Sequence, residues 1–127
     1  IVKTVYCRDC SAQGTRQFKC NSLFESQYED LAEAVDSIAE RIRMLETKVI
    51  GTFNTFSKLS TISDANENAS SEQMLKDLLA DQKVMLDHLK KAMDESDGQN
   101  DIVTADIITS RIVSHEKNSW VIRSHLS

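Results

Sequence analysis

The sequence predicts an all-α protein, and three features of its composition support this. The 127 residues contain no proline and only three glycines, so a long helix meets few residues that would break it. Aromatic residues make up only 6% of the chain, whereas strands are enriched in them. At 40% hydrophobic residues, the length suits one core, and we expect residues 1–127 to form a single domain.

Apolar residues define the first long helix and the segment that follows it. Over residues 18–45 they recur at the three- and four-residue intervals of an amphipathic helix: Leu23, Leu31, Ala34, Val35, Ile38, Ile42 and Leu45. Gly51 and a polar stretch as far as Ser70 interrupt this pattern. A short helix inside that stretch can be formed by Phe53, Phe56, Leu59 and Ile62.

Two more long helices follow this crossover. One begins after Ser70, ends near Asp97 and Gly98, and carries the apolar stripe Leu75, Leu78, Leu79, Leu86, Leu89 and Met93. The last, capped by Asn100 or Asp101, places on one face Ala105, Ile108, Ile112, Ser119, Ile122 and Leu126. We expect the residues before Gly14 to be the end of a further helix, so that a four-helix bundle with one long crossover has an incomplete first helix.

Charge and hydropathy limit the function classes. Twenty acidic and fifteen basic side chains give a net charge of -5, which repels nucleic-acid phosphates and attracts cations. DNA binding is therefore not supported by charge. No apolar run approaches the roughly 18 residues that span a bilayer, and the N-terminal residues lack a secretory pattern, so we expect a soluble protein with no membrane partner.

The three cysteines lie at Cys7, Cys10 and Cys20. Their odd number argues against a closed disulfide framework and favours a reducing cytoplasm. Cys7 and Cys10 have the C-x-x-C spacing of zinc and redox sites, but a second ligand pair and a following βαβ pattern are missing. We expect ordinary thiols.

An acidic stripe is the clearest chemical feature. Glu25, Glu29, Asp36 and Glu40 are spaced by four, seven and four residues, which stacks them on one helical face. A cation would relieve their mutual repulsion, and such hard oxygen ligands suit iron, manganese or magnesium. Taken alone, this spacing favours a solvated face over a metal site.

Six strings of the sequence form a set that is more specific than the spacing. They are Leu23-Phe24-Glu25-x-Gln27-Tyr28-x-x-Leu31-Ala32-x-Ala34-Val35-Asp36-x-Ile38-Ala39-Glu40-Arg41-Ile42-Arg43, Gly51-Thr52-Phe53, Lys58-Leu59-Ser60, Asp77-Leu78-Leu79-Ala80-Asp81, Thr104-Ala105-Asp106 and His115-Glu116-Lys117-x-x-Trp120. Over about residues 14–127 the sequence resembles the Dps family, the ferritin-like DNA-binding proteins from starved cells. The first string resembles that family's second helix.

This resemblance implies a ferritin-like four-helix bundle, of which twelve copies form a hollow shell with ferroxidase centres at two-fold interfaces. One subunit gives carboxylates to each centre and its partner gives histidines. By position, Asp36 and Glu40 match the carboxylate pair, and Glu25 matches the acidic ligand from across the interface. The implied function is to oxidise Fe(II) with hydrogen peroxide or dioxygen and to store ferric oxide, protecting DNA in the cytoplasm or at the nucleoid.

The sequence departs from the family at its histidine ligands. The positions of the family's His-Trp pair and second histidine fall on Asp9, Cys10 and Asn21. Asp9 can ligate iron through its carboxylate, and Asn21 only weakly. A divergent centre, an altered N-terminal sequence and a family member that stores iron poorly all remain open. The alternative function is a non-enzymatic helical oligomer, a structural or DNA-protecting scaffold.

Late residues of the chain have competing interpretations. His115 falls on the apolar face of the last helix, which favours a packed core histidine, whereas His88 and His125 have polar neighbours and favour the surface. Trp120 is interpreted as a core anchor, with a place near the iron centre as the alternative. Asp101 and Asp106 resemble the family's pore-lining positions, although Asp101 also suits an N-cap.

Overall fold

The computed structural model describes residues 15–64, 66 and 68–127, with side chains in the first helix from residue 22 onward. The regular elements in this part of the chain are helices: α1 (Thr15–Met44), α2 (Phe53–Leu59), α3 (Ser71–Gly98) and α4 (Ile102–Leu126). The all-α prediction is confirmed. The chain divides into two compact units, Ile1–Ser71 and Glu72–Ser127. The helix end that we expect before Gly14 lies outside the described residues.

The predicted boundaries agree with these helices to within three residues. Helix α1 begins three residues before the predicted start and ends one residue before the predicted end. The short crossover helix is present but stops at Leu59, because the backbone is extended from Ser60. Within the described part of the chain, no helix combines the length and apolar character that a membrane span requires.

Helix α1 ends in a Schellman turn. Thr47 N–H donates to the Ile42 carbonyl at 3.1 Å, and Glu46 N–H donates to the Arg43 carbonyl at 3.0 Å. These bonds satisfy carbonyls that the end of a helix otherwise leaves unpaired. They hold Glu46 at φ 58°, in the left-handed region that costs a residue with a Cβ about 1 kcal/mol. The turn reverses the chain beside the last residues of α1.

The joint between α3 and α4 uses the same turn with added side-chain bonds. Asn100 is its left-handed residue, at φ 56°. Asp101 N–H donates to the Ser96 carbonyl at 3.0 Å, and the buried Ser96 hydroxyl donates to the Asp101 carbonyl at 2.8 Å. Asp101 also caps α4, because its Oδ1 accepts from Thr104 N–H at 3.1 Å. The N-cap prediction for Asp101 is confirmed.

The buried positions of α3 and α4 include a polar pair. Helix α3 buries Met74 and Leu75, and α4 buries Ile108 and Ile122. Between these apolar groups lie Gln82 and His115, each only 4% exposed, with His115 Nδ1 and Gln82 Oε1 2.6 Å apart. The prediction of a packed, hydrogen-bonded His115 is confirmed.

Other side chains differ from their predicted places. The core-anchor interpretation of Trp120 is wrong, because its side chain is 61% exposed. It lies about 100° around α4 from buried Ser119, which turns it away from the inward stripe. His88 is exposed as predicted, but His125 is half-buried and its Nδ1 lies 2.9 Å from the Val121 carbonyl oxygen.

The predicted apolar stripe of α1 is only partly buried. Ala34 is buried, whereas Val35, Ile38 and Leu45 are 58%, 40% and 50% exposed. Val35 lies about 100° around the helix from Ala34, so one chain cannot bury both edges of so broad a stripe.

Candidate metal centre

Helix α1 presents two opposite faces. One is marked by Gln27 and Ala34, which are 5% and 7% exposed and lie seven residues apart. About 180° around the helix lie the four side chains of the acidic stripe, all exposed: Glu25, Glu29, Asp36 and Glu40. The carboxylates therefore project from the face opposite to the packed one.

Asp36 and Glu40 are two candidate ligands that line the same part of the surface. They stand one helical turn apart and line a shallow, open depression of about 610 Å³. Its remaining lining is Ala39, Arg43, Met44 and Val49. Val49 reaches the depression because the turn at Glu46 brings the chain back past the end of α1. Both carboxylates thus share one surface site with a guanidinium and three apolar side chains.

Glu25 cannot join this pair within one chain. It precedes Asp36 by eleven residues, which at 1.5 Å per residue is about 16 Å along the helix axis. Consistently, no group of three or more histidine, cysteine, aspartate and glutamate side chains that could hold a metal ion occurs among the described residues. A single chain offers a bound ion two neighbouring carboxylates from this part of α1.

The two N-terminal ligand candidates cannot be placed in the same way. Asn21 belongs to α1, but its side chain lies outside the described residues, as does the whole of Asp9. Their ligand roles stay predictions. Cys7 and Cys10 also lie outside the described part.

The remaining acidic candidates have other surroundings. The Asp101 carboxylate accepts the hydrogen bond that caps α4, while Asp106 is exposed. The pore role of these two residues stays a prediction.

On α3, the Lys76 ammonium donates to Glu72 and, by this bond and its charge, lowers the pKa of that carboxyl. Both side chains of this pair are exposed, so it belongs to the solvated surface.

Sequence reasoning missed one charged member of the site. Arg43 follows Asp36 by seven residues and Glu40 by three, which places all three on one helical face. The spacing rule that groups the carboxylates therefore also predicts the position of this cation. Val49 could not be found in that way, because its position depends on the turn at Glu46.

Comparisons with known proteins agree with this architecture. A family model, the ferritin-like domain, matches residues 6–127. The chain is 30% identical over 115 residues to DNA protection during starvation protein 2 of Bacillus anthracis, covering 91% of this chain and 79% of that protein. Among solved structures, Dps from Staphylococcus aureus superposes with a TM-score of 0.90 at 26% identity, covering 100% of this chain and 86% of that one.

A third comparison concerns the fold alone. Dps from Vibrio cholerae, described as a member of a broad superfamily of ferritin-like diiron-carboxylate proteins, is 21% identical and superposes with a TM-score of 0.85. It covers 99% of this chain and 82% of that one. With the helices described above, these likenesses confirm the predicted ferritin-like helical bundle.

Proposed function

Because the chain belongs to the ferritin-like family and, within it, to the Dps proteins, we propose that it is a subunit of an iron-oxidising and iron-storing shell. The observation that carries this proposal is the exposed Asp36–Glu40 pair on the outward face of α1. Iron is here both the substrate and the stored cargo. The names of the relatives add the purpose, the protection of DNA during starvation.

A second copy of the chain completes the centre in this proposal. In a symmetric dimer the same surface meets itself, so two antiparallel α1 helices can bring Glu25 of one protomer opposite Asp36 and Glu40 of its partner. The symmetry axis then passes midway between Glu25 and the Asp36–Glu40 pair, close to Ala32. Ala32 is exposed, and its small side chain allows the two helices to approach closely. Each dimer holds two such centres, with Asp9 and Asn21 as further candidate ligands. A shell of twelve chains contains six dimers.

Exposed apolar side chains support this pairing. Tyr28 and Val35 flank the carboxylate face on one side and are 48% and 58% exposed. Tyrosine and valine so placed lose unfavourable contact with water when a partner covers them. The same surface that gathers the carboxylates thus gains stability from association.

The chemistry assigned to the residues is electrostatic. Asp36 and Glu40 bind Fe(II) through oxygen ligands, and their charge stabilises the ferric product more than the ferrous substrate. Two Fe(II) ions each give one electron to hydrogen peroxide, whose O–O bond breaks, and two protons complete two molecules of water. Dioxygen is the alternative oxidant. Because iron and peroxide are consumed together, hydroxyl radicals do not form near DNA.

Protection of DNA need not include binding to it. With a net charge of -5, the chain has no overall attraction to phosphates. We expect no retention of plasmid in a gel-shift assay at about 150 mM salt, where screening limits the reach of local basic patches. Retention under these conditions would contradict this part of the proposal.

The decisive experiment removes the two carboxylates without changing shape. Asp36→Asn with Glu40→Gln should leave assembly intact, because the amides keep the shape of both side chains and remove their mutual repulsion. The double variant should abolish the ferric absorbance that Fe(II) and peroxide produce above the buffer rate. Size exclusion with light scattering should report twelve copies of the 14.3 kDa chain for both proteins. Asp87→Asn with Asp94→Asn, two exposed positions on α3, removes the same charge elsewhere and is the matched control.

The outcomes separate the two candidate functions. Oxidation at the wild-type rate in the double variant would refute the assigned site. If wild type itself does not exceed the buffer rate, yet forms the shell, a non-enzymatic scaffold is the function. In that case Asp9→His with Asn21→His should create activity, since it restores histidine at the two positions where the related family has it.

A further inference from the structure

A positively charged side chain, Arg43, lies beside the two carboxylates of the candidate metal site. Arg43 is exposed and lines the depression together with both carboxylates. It follows Glu40 by three residues, a spacing at which side chains on a helix are neighbours. An ion bound by the carboxylates therefore lies within reach of a positive charge that belongs to the same helix.

We propose that Arg43 sets the charge selectivity of this site, weakening the hold on a trivalent ion more than on a divalent one. The inference rests on the proposed iron site and deepens it. Carboxylates alone bind ions more tightly as their charge rises, so an acidic site tends to retain its ferric product. A fixed positive charge counteracts this tendency, because its repulsion grows in proportion to the charge of the bound ion.

The size of the effect follows from Coulomb's law. For a separation of about 7 Å in water, Coulomb's law lowers the affinity for a +2 ion about sevenfold and that for a +3 ion about twentyfold. Arg43 is exposed in the single chain, and salt at about 0.15 M weakens this repulsion wherever water reaches the side chain. At low salt Arg43 thus narrows the preference for ferric over ferrous iron by about threefold. Ferric product leaves for the interior of the shell more readily as a result.

Two redox-inert ions can test this without any turnover. Co(II) and Tb(III) are titrated into the assembled, iron-free protein at low salt, with calorimetry for cobalt and terbium luminescence for the lanthanide. Arg43→Gln should tighten cobalt binding about sevenfold and terbium binding about twentyfold, whereas Arg43→Lys should behave as wild type. Both gains should shrink at about 0.15 M salt.

A nearby lysine supplies the control. Lys48 is exposed and belongs to the segment after α1, but it does not line the depression. Lys48→Gln should change either affinity by less than Arg43→Gln and should not distinguish the two ions to the same extent. The charge dependence is the essential readout, since a merely structural role of Arg43 would alter both ions alike.

Three results would overturn the inference, and they are distinguishable. If Asp36→Asn with Glu40→Gln abolishes ion binding but Arg43→Gln changes neither affinity, the role of Arg43 is wrong while the proposed site stands. If that double variant binds both ions like wild type, the proposed site fails and the inference fails with it. Equal tightening of both ions by Arg43→Gln would also contradict charge selectivity.

Discussion

The buried pair of Gln82 and His115 gives the sharpest prediction about stability. Each side chain is 4% exposed, and the imidazole Nδ1 lies 2.6 Å from the amide oxygen. A buried polar group that loses its partner costs about 1–3 kcal/mol, and the shortness of this contact favours the upper part of that range. Gln82→Leu keeps the volume of the side chain and removes the acceptor. His115→Leu removes the other half of the pair.

The two single variants and the double variant form a thermodynamic cycle. Each single variant should lower the free energy of unfolding by about 1–3 kcal/mol, because each leaves one polar group buried without this bond. The double variant should cost less than the sum by a similar amount, since no half of the bond remains. Urea denaturation measures all four proteins at one fixed subunit concentration, because association contributes to the apparent stability.

An exposed pair on α3 is the matched control. Gln73 Nε2 donates to Asp77 Oδ1 at 2.8 Å, four residues along the helix and at its surface. The coupling between Gln73→Ala and Asp77→Ala should be only about 0.2–0.5 kcal/mol. If the Gln82 and His115 variants are also additive to within about 0.5 kcal/mol, the buried hydrogen bond does not stabilise the fold, and the reasoning is refuted.

Three further predictions concern helix ends. Glu46→Gly should raise the free energy of unfolding by about 0.5–1 kcal/mol, because glycine adopts the positive φ of this position freely. Asn100→Gly should raise the free energy of unfolding by less, since asparagine tolerates that conformation. The midpoints of urea denaturation compare the two variants. Asp101→Ala should cost about 1 kcal/mol through loss of the α4 cap, and Asp101→Asn far less. Glu72→Gln should not shift the thermal midpoint at neutral pH, because the exposed ion pair with Lys76 that keeps the pKa of Glu72 low contributes little to stability. This small contribution is present above the ordinary pKa of glutamate and is lost as the pH falls through the lowered pKa of Glu72.

The sequence predicted the helices well where local rules suffice. Asp101 could be assigned as a cap because a short acidic side chain accepts from the backbone three residues later, which needs no knowledge of the rest of the fold. Gly98 likewise marked the end of α3 correctly. The crossover helix was predicted three residues too long, since an apolar residue at Ile62 satisfies the periodicity although the backbone has already become extended.

Burial was harder to predict, because apolar character does not say which molecule covers a side chain. Trp120 and Val35 were assigned to packed faces, yet they are 61% and 58% exposed. Conversely, Gln82 and Ser96 are polar but buried, because each has a hydrogen-bond partner. Gln82 pairs with His115, and Ser96 donates to the Asp101 carbonyl. Hydrophobic spacing therefore predicts that a helix has an apolar face, but it does not predict how much of that face a single chain buries.

For the candidate site, spacing predicted what lies on one helix and nothing more. Asp36 and Glu40 share a depression because i and i+4 are neighbours on any helix, and the same rule assigns Arg43 to it. It cannot supply ligands from another chain, and Glu25, about 16 Å away along the axis, has no place in this site without one. The spacing of these three carboxylates thus becomes meaningful only for an assembly.

The opposite faces of α1 explain why function can change here without loss of the fold. Gln27 and Ala34 are buried, so substitutions there alter the packing of the helix. Asp36, Glu40 and Arg43 are exposed on the other side, so their charges can be exchanged at little cost to the folded chain. Like charges gathered on one surface are unfavourable until a cation binds, which makes the empty site the less stable state. In the proposed shell, metal binding and subunit pairing therefore draw on the same face of α1.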